Sequence, residues 1–324
     1  MKTISILVLE NCTPIASIGA MELFNKAGVI HQQLNNLPEP YFKTQLVSPN
    51  SQYVKATGDY PVYTHISIDK LKKTDLLLIP AMEFDIKEKM EANASLVPHL
   101  QRLHKNGAEI GSMCTGAFLL GATGLLDSKK ATTHWALAEP FKQMYPKVDV
   151  HDERIIIDEG DIYTCGGATS FMNLVLYLTE KYCGKETATM ASRMLMLDFD
   201  KAPQSSYMMF QPQTTHKDDA IKKAQQLIEK GERSSLSVEQ LAQTSGLSER
   251  NFIRRFKAAT GNTPTQYIQR MTIEKAKRML ETQPLTFEQI VYELGYNDVN
   301  NMRNVFKKYT GLTPKEYKGK FARA

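Results

Sequence analysis

The sequence predicts two domains of different class: an α/β domain on a mostly parallel sheet, then an all-α domain of two helix-turn-helix modules. Three observations carry this. Short apolar runs alternate with helical patterns through the first 200 residues, the β-α-β rhythm of a parallel sheet covered by helices. The stretch "DKAPQSSYMMFQPQTTHK" (200–217) breaks that rhythm with Pro, Gln, Ser and Thr and reads as a linker. Behind it, residues 241–268 and 290–318 repeat one another. The expected layout is therefore a first domain over 1–200, a linker over 201–217 and a second domain over 218–324.

In the first domain, "ISILVL" (4–9) is a short apolar run suited to a first strand, and "ASIGAMELFNKAG" (16–28) has helical spacing with a Gly stop. "YFKTQLVS" (41–48) alternates as a strand does, and "DLLLIPA" (75–81) is a buried-strand run bounded by Pro. "SLVPHLQRLHKNGAEIGSMC" (95–114) reads as helix, Gly cap and strand. "RIIIDEGDIYTCGG" (154–167) predicts a hairpin around Asp158-Glu159-Gly160-Asp161. "TSFMNLVLYLTEKYCG" (169–184) and "KETATMASRMLML" (185–197) predict two helices. Met208, Met209 and Phe210, inside the linker, are expected to pack against a domain.

In the repeat, Gly246 matches Gly295, Phe256 matches Phe306, Gly261 matches Gly311, Thr263-Pro264 matches Thr313-Pro314 and Tyr267 matches Tyr317. The offset moves from 49 to 50 because the second copy has one extra residue after its turn. Two copies of a unit near 50 residues are a duplicated module rather than a solenoid. In the first, Ser237 with Gln240 three residues on forms a capping box, and Val238, Leu241 and Ala242 give a buried stripe. Gly246 supplies a left-handed turn, and Ser248 is expected to cap the next helix, which buries Phe252 and Phe256. Thr286, Gln289, Gly295, Met302 and Phe306 repeat this grammar. In both copies Thr-Pro opens the following helix, and "TQYIQRMTIEKAKRMLE" (265–281) joins the modules.

Charge separates the halves. Residues 216–324 hold 20 Lys+Arg against 12 Asp+Glu, a net +8, and residues 1–215 hold the other 20 against 23, a net −3. A basic back half suits a polyanionic partner. No apolar run approaches the roughly 18 residues of a membrane span, and the start "MKTISILVLENC" reads as a strand rather than a signal peptide. The expected location is the cytoplasm, where Cys12, Cys114, Cys165 and Cys183 would be free thiols. No Cys/His spacing suggests a metal site, and none suggests a cofactor.

With Phe252 and Phe256 inward, Arg250, Asn251, Arg254 and Lys257 fall on the outer side of their helix; Asn300, Arg303, Asn304 and Lys307 do so in the second copy. Arg suits guanine edges and Asn adenine edges; Lys suits phosphates. Residues 218–324 resemble the AraC/XylS DNA-binding domain, and "GYNDVNNMRNVFKKYTGLTPKEYK" matches that family's signature. The resemblance implies a transcription regulator on double-stranded DNA. By position in the motif its base readers are Arg250, Ile253 and Arg254, then Asn300, Arg303 and Asn304; Ile253 could only touch a thymine methyl or pack.

The stretch "EIGSMCTGAF" (109–118) puts Cys114 directly after a buried strand and before small residues, the layout of a strained turn that presents a nucleophile. Residues 1–200 resemble the PfpI-like, class I glutamine amidotransferase-like fold, a flavodoxin-like parallel sheet, through "GSMCTGAFLLGATGLLDSKKATTHW" (111–135). In that superfamily a histidine about twenty residues on partners the cysteine, and His134 stands there. Three features depart from the pattern. Ser112 replaces the first elbow glycine, "NCTPIASIGAMELF" offers no carboxylate before Glu22, and "IPAMEFD" (79–85) stands where relatives often carry Gly-Gly oxyanion donors. Catalysis, a structural cysteine, a redox-sensitive thiol and an effector pocket around Cys114, His134 and Thr115 all stay open. The two resemblances together are those of the GlxA-type regulators, which implies a front domain that senses a small-molecule effector or mediates homodimerisation. The alternative is a cysteine-dependent hydrolase or amidase, Cys114 with His134, fused to a DNA-binding domain.

Overall fold

The computed structural model describes residues 1–50, 52–83, 85–198, 203–230 and 237–322. The chain forms two compact units, Met1–Gln204 and Ser205–Ala324.

The first unit runs β1 (Lys2–Leu7), α1 (Pro14–Asn35), β2 (Phe42–Ser48), β3 (Tyr53–Ala56), β4 (Tyr60–Tyr63), β5 (Ile66–Ser67), β6 (Leu76–Ile79), α2 (Ile86–Asn93), α3 (Val97–Lys105) and β7 (Glu109–Met113). It continues through α4 (Ala117–Ala122), β8 (Lys130–Ala131), α5 (Ala138–Met144), β9 (Asp149–Val150), β10 (Ile156–Asp158), β11 (Ile162–Cys165) and α6 (Phe171–Leu195). Seven strands form one sheet in the order β10-β11-β7-β6-β1-β2-β5. All its pairings are parallel except the predicted hairpin β10–β11. β1, β6 and β7 lie in the middle, so their apolar runs are buried on both faces: Ile4, Ile6, Leu76 to Ile79 and Ile110 are fully covered.

One helix of this unit differs from expectation. Gly28 does not stop α1, which runs on to Asn35 and ends on a left-handed Asn36. Gly28 is needed instead for close approach: a Cβ there would stand 3.0 Å from the Phe42 backbone nitrogen. The two helices expected over 169–197 form as the two halves of α6, which is interrupted at Gly184, whose φ of 84° and ψ of 164° are not helical.

The second unit is helical: α7 (Asp219–Lys230), α8 (Val238–Thr244), α9 (Glu249–Thr260), α10 (Pro264–Thr282), α11 (Phe287–Glu293), α12 (Val299–Thr310) and α13 (Pro314–Phe321). It has two cores. Ile221, Ala224, Leu241, Phe252, Phe256 and Tyr267 form one, and Ile273, Ala276, Leu280, Ile290, Phe306 and Tyr317 the other. The connecting α10 thus supplies Tyr267 to the first and its later turns to the second. The capping boxes Ser237–Gln240 and Thr286–Gln289 form as predicted, and Thr263 with Gln266 and Thr313 with Glu316 add two more. Ser248 departs from prediction: it has extended N-cap geometry, but its hydroxyl makes no cap hydrogen bond. Its counterpart Asp298 does accept from Asn301 N–H, at 2.9 Å. Within the expected linker, Phe210 packs edge-on against Tyr267 at 5.1 Å, so this aromatic does pack on a domain.

Candidate functional site

The elbow is built where three central strands end. β7 ends at Met113, and Cys114 opens a tight turn into α4 with φ of 55°. A positive φ at a non-glycine residue is strain that the surroundings must enforce. They do so through backbone contacts. A Cβ on Gly116 would lie 2.6 Å from the Pro80 carbonyl oxygen and 2.7 Å from that of Ile79, so the turn closes on β6 only with glycine there. The Thr115 hydroxyl donates to Met82 O and accepts from Met82 N–H, both at 2.6 Å. Thr133 donates its hydroxyl to Cys114 O at 3.0 Å, and Cys12 bridges Met82.

These contacts decide what the cysteine can do. Its side chain is 4 % exposed, and burial pushes the thiol up to about 11 against weaker opposition from Thr115. Burial also holds His134 below the ordinary histidine value. Desolvation therefore disfavours both members of a thiolate–imidazolium pair, and near neutral pH both are uncharged. His134 Nδ1 accepts from Ala136 N–H at 3.2 Å. In the first helix Glu22 is exposed and pairs with Lys26 at 3.6 Å, four residues on, while Ala16 and Ser17 are fully buried, Ser17 donating to Leu7 O. At the segment expected to replace an oxyanion hole, the Met82 amide is already spent on Thr115. An activated nucleophile needs a base, an orienting acid and free donors; at this elbow the thiol is neutral and the Met82 amide is occupied. Among the described residues no cluster of three His, Cys, Asp or Glu could hold a metal, and no helix is long and apolar enough to cross a membrane.

Sequence reasoning missed one residue beside this elbow. Gln204, 3 % exposed, donates to the carbonyls of Thr133 and Asp152 at 3.1 and 2.7 Å and accepts from Trp135 N–H at 3.2 Å. It thus braces both sides of His134. A Cβ on Gly166 would come within 2.4 Å of its amide nitrogen. One glutamine in a polar stretch carries no signal of this; the "CGG" ending β11 is the only trace of the close approach.

In the second unit, Arg250, Arg254 and Lys257 are exposed on α9, and Asn300, Arg303, Asn304 and Lys307 are exposed on α12; Asn251 and Ile253 are half-buried. Arg254 donates to Asn251 Oδ1 and Arg303 to Asn300 Oδ1, each at 3.0 Å. Arg303 also pairs with Glu288 of α11. Arg255, on the same helix as Arg254, serves the fold instead, gripping Asp218 in a bidentate pair at 2.7 and 2.8 Å.

Comparison with known proteins agrees with both halves. The DJ-1/PfpI family profile matches residues 4–181, and a helix-turn-helix domain profile matches residues 241–320. The HTH-type transcriptional regulator CdhR of Pseudomonas aeruginosa is 25% identical over 96% of this chain and 89% of its own. The HTH-type transcriptional regulator GlxA of Rhizobium meliloti is 28% identical over 66% of each chain. Among solved structures, a THiJ/PfpI family protein from Pseudomonas syringae superposes with a TM-score of 0.52 over 68% of this chain and 80% of its own, at 17% identity.

Proposed function

Since the chain belongs to the DJ-1/PfpI family and continues into a helix-turn-helix domain, we propose that it is a sequence-specific DNA-binding transcription regulator whose front unit serves sensing or dimerisation. The observation that carries this is the duplicated module: two glycine-turned helix pairs, each presenting an Arg–Asn pair on an exposed helix face. Arg250, Asn251, Ile253, Arg254 and Lys257 would meet one stretch of major groove, and Asn300, Arg303, Asn304 and Lys307 the next, with arginine forks on guanine and lysines on phosphate. Recognition helices of such modules address successive turns roughly 34 Å apart on one face of the duplex. The front unit supplies a small-molecule pocket beside Cys114 and His134, and the regulator acts as a homodimer in the cytoplasm. The neutral thiol and the occupied Met82 amide favour sensing over turnover.

The test is a duplex selected from a randomised library by the full chain, with affinity measured by fluorescence anisotropy at fixed salt. Arg254→Ala together with Arg303→Ala is expected to weaken binding at least about 30-fold, each base contact contributing roughly 1–3 kcal/mol. Retained affinity in that double variant overturns the reading.

A further inference from the structure

The two recognition helices carry the same pair in different register. α9 and α12 align at an offset of 50, Phe252 on Met302 and Phe256 on Phe306. At that offset Arg303 stands over Ile253, and Arg254 over Asn304. The Arg–Asn pair therefore sits one residue earlier in α12, about 100° round the helix and about 1.5 Å along it.

The α12 pair has a third member. Arg303 gives Nη1 to Asn300 and Nη2 to Glu288, from the first turn of α11. The counterpart of Glu288 in α8 is Glu239, which accepts from Gln243 at 3.4 Å instead; the position aligned with Arg303 there is Ile253, which has nothing to donate. Among the described residues Arg254 has no carboxylate partner. Glu288 and Arg303 line an open cleft of about 570 Å³ together with Asn304, Lys307 and Lys315, so this is an acid among cations on a surface that meets phosphates. Its carboxylate repels the polyanion, and an exposed ion pair adds little to the stability of a fold. An acid in the first turn suits the α11 N-terminus, as Glu239 does in α8, but that role does not require the pairing with Arg303.

We propose that Glu288 is a specificity-determining residue of the second module, holding the Arg303 fork toward the groove and off the phosphates. The proposal rests on the DNA-binding reading above. A guanidinium has five N–H donors; two are engaged by Asn300 and Glu288, and three remain, enough for a bidentate contact to one guanine. A fork already fixed in plane loses less freedom on making that contact. Released, Arg303 settles on the nearest phosphate, which strengthens binding to any sequence equally.

The experiment compares affinities of the full chain for the selected duplex and for a scrambled duplex of the same composition at one salt concentration. Glu288→Ala is expected to tighten binding to the scrambled duplex without tightening binding to the selected one, so that their ratio falls by about fivefold or more. Glu239→Ala removes the same charge from the aligned position and is expected to keep the ratio within about twofold of wild type. In an Arg303→Ala background, adding Glu288→Ala is expected to change the ratio by less than about twofold, as a coupled pair requires. An unchanged ratio in Glu288→Ala, or an equal fall in Glu239→Ala, overturns the proposal alone. A wild-type chain that binds both duplexes equally overturns the regulator reading first, and the proposal with it.

Discussion

At pH 7.5 a thiol whose pKa stands at about 11 is ionised in roughly one molecule in three thousand, and the thiolate is the species that attacks. Cys114 in the native chain is therefore expected to react with iodoacetamide at least about 100-fold more slowly than a free cysteine, as followed by mass spectrometry; rapid labelling of the folded chain would restore a reactive thiol. The same shift has a signed effect on stability. Unfolded, the thiol ionises near 9.0, and folded only near 11, so the ionised form favours the unfolded chain. This group's contribution is intact below pH 9 and is lost as pH rises from 9 to 11, by roughly 3 kcal/mol in all. Urea denaturation across that range is expected to show a shallower decline for Cys114→Ala than for wild type; parallel declines would contradict the shift. The elbow was legible in "GSMCTGAF" because a strained turn needs small neighbours in a fixed order. The occupied Met82 amide was not, since Thr115 meets it from 33 residues away.

At the scale of elements, glycines show two separate physical demands. Gly261 ends α9 with φ of 71°, and a Cβ there would meet nothing within 4 Å. Gly261→Ala should therefore cost only the left-handed backbone penalty, about 1–2 kcal/mol. Gly116 has an ordinary helical φ of −57°, and its Cβ would strike two carbonyl oxygens that belong to β6 and the residue after it. Gly116→Ala should cost about 3 kcal/mol or more, because backbone must move. Chemical denaturation of the two variants tests the order; a larger loss for Gly261→Ala would overturn it. Capping boxes and turn glycines were legible from sequence because each is a local pattern within four residues. Gly28 misled for the opposite reason: its demand comes from Phe42 across the α1–β2 packing, which a local pattern does not record. The short strands β3, β4, β5, β8 and β9 have two to four residues each, too few for periodicity to register.

Across the whole molecule, the separate cores make a measurable prediction. The front unit holds one continuous core, and the helix-turn-helix modules hold two others joined through α10. The chain's single tryptophan, Trp135, lies in the front unit and is held there by its N–H bond to Gln204. Its fluorescence follows that unit, while the circular dichroism at 222 nm includes the seven helices described in the second. Phe252 is fully buried against Phe256 in the first module's core, their rings 5.4 Å apart. Truncating it to alanine should remove about 3–5 kcal/mol from that core. For Phe252→Ala, urea denaturation is expected to bring part of the dichroism change to lower urea while the Trp135 transition stays within error of wild type, and binding to the selected duplex should be lost. A tryptophan transition that moves by the same amount would mean the units unfold as one, and the charge division of −3 and +8 between the chain's halves would then describe one cooperative body rather than a sensor and a reader with separate stabilities.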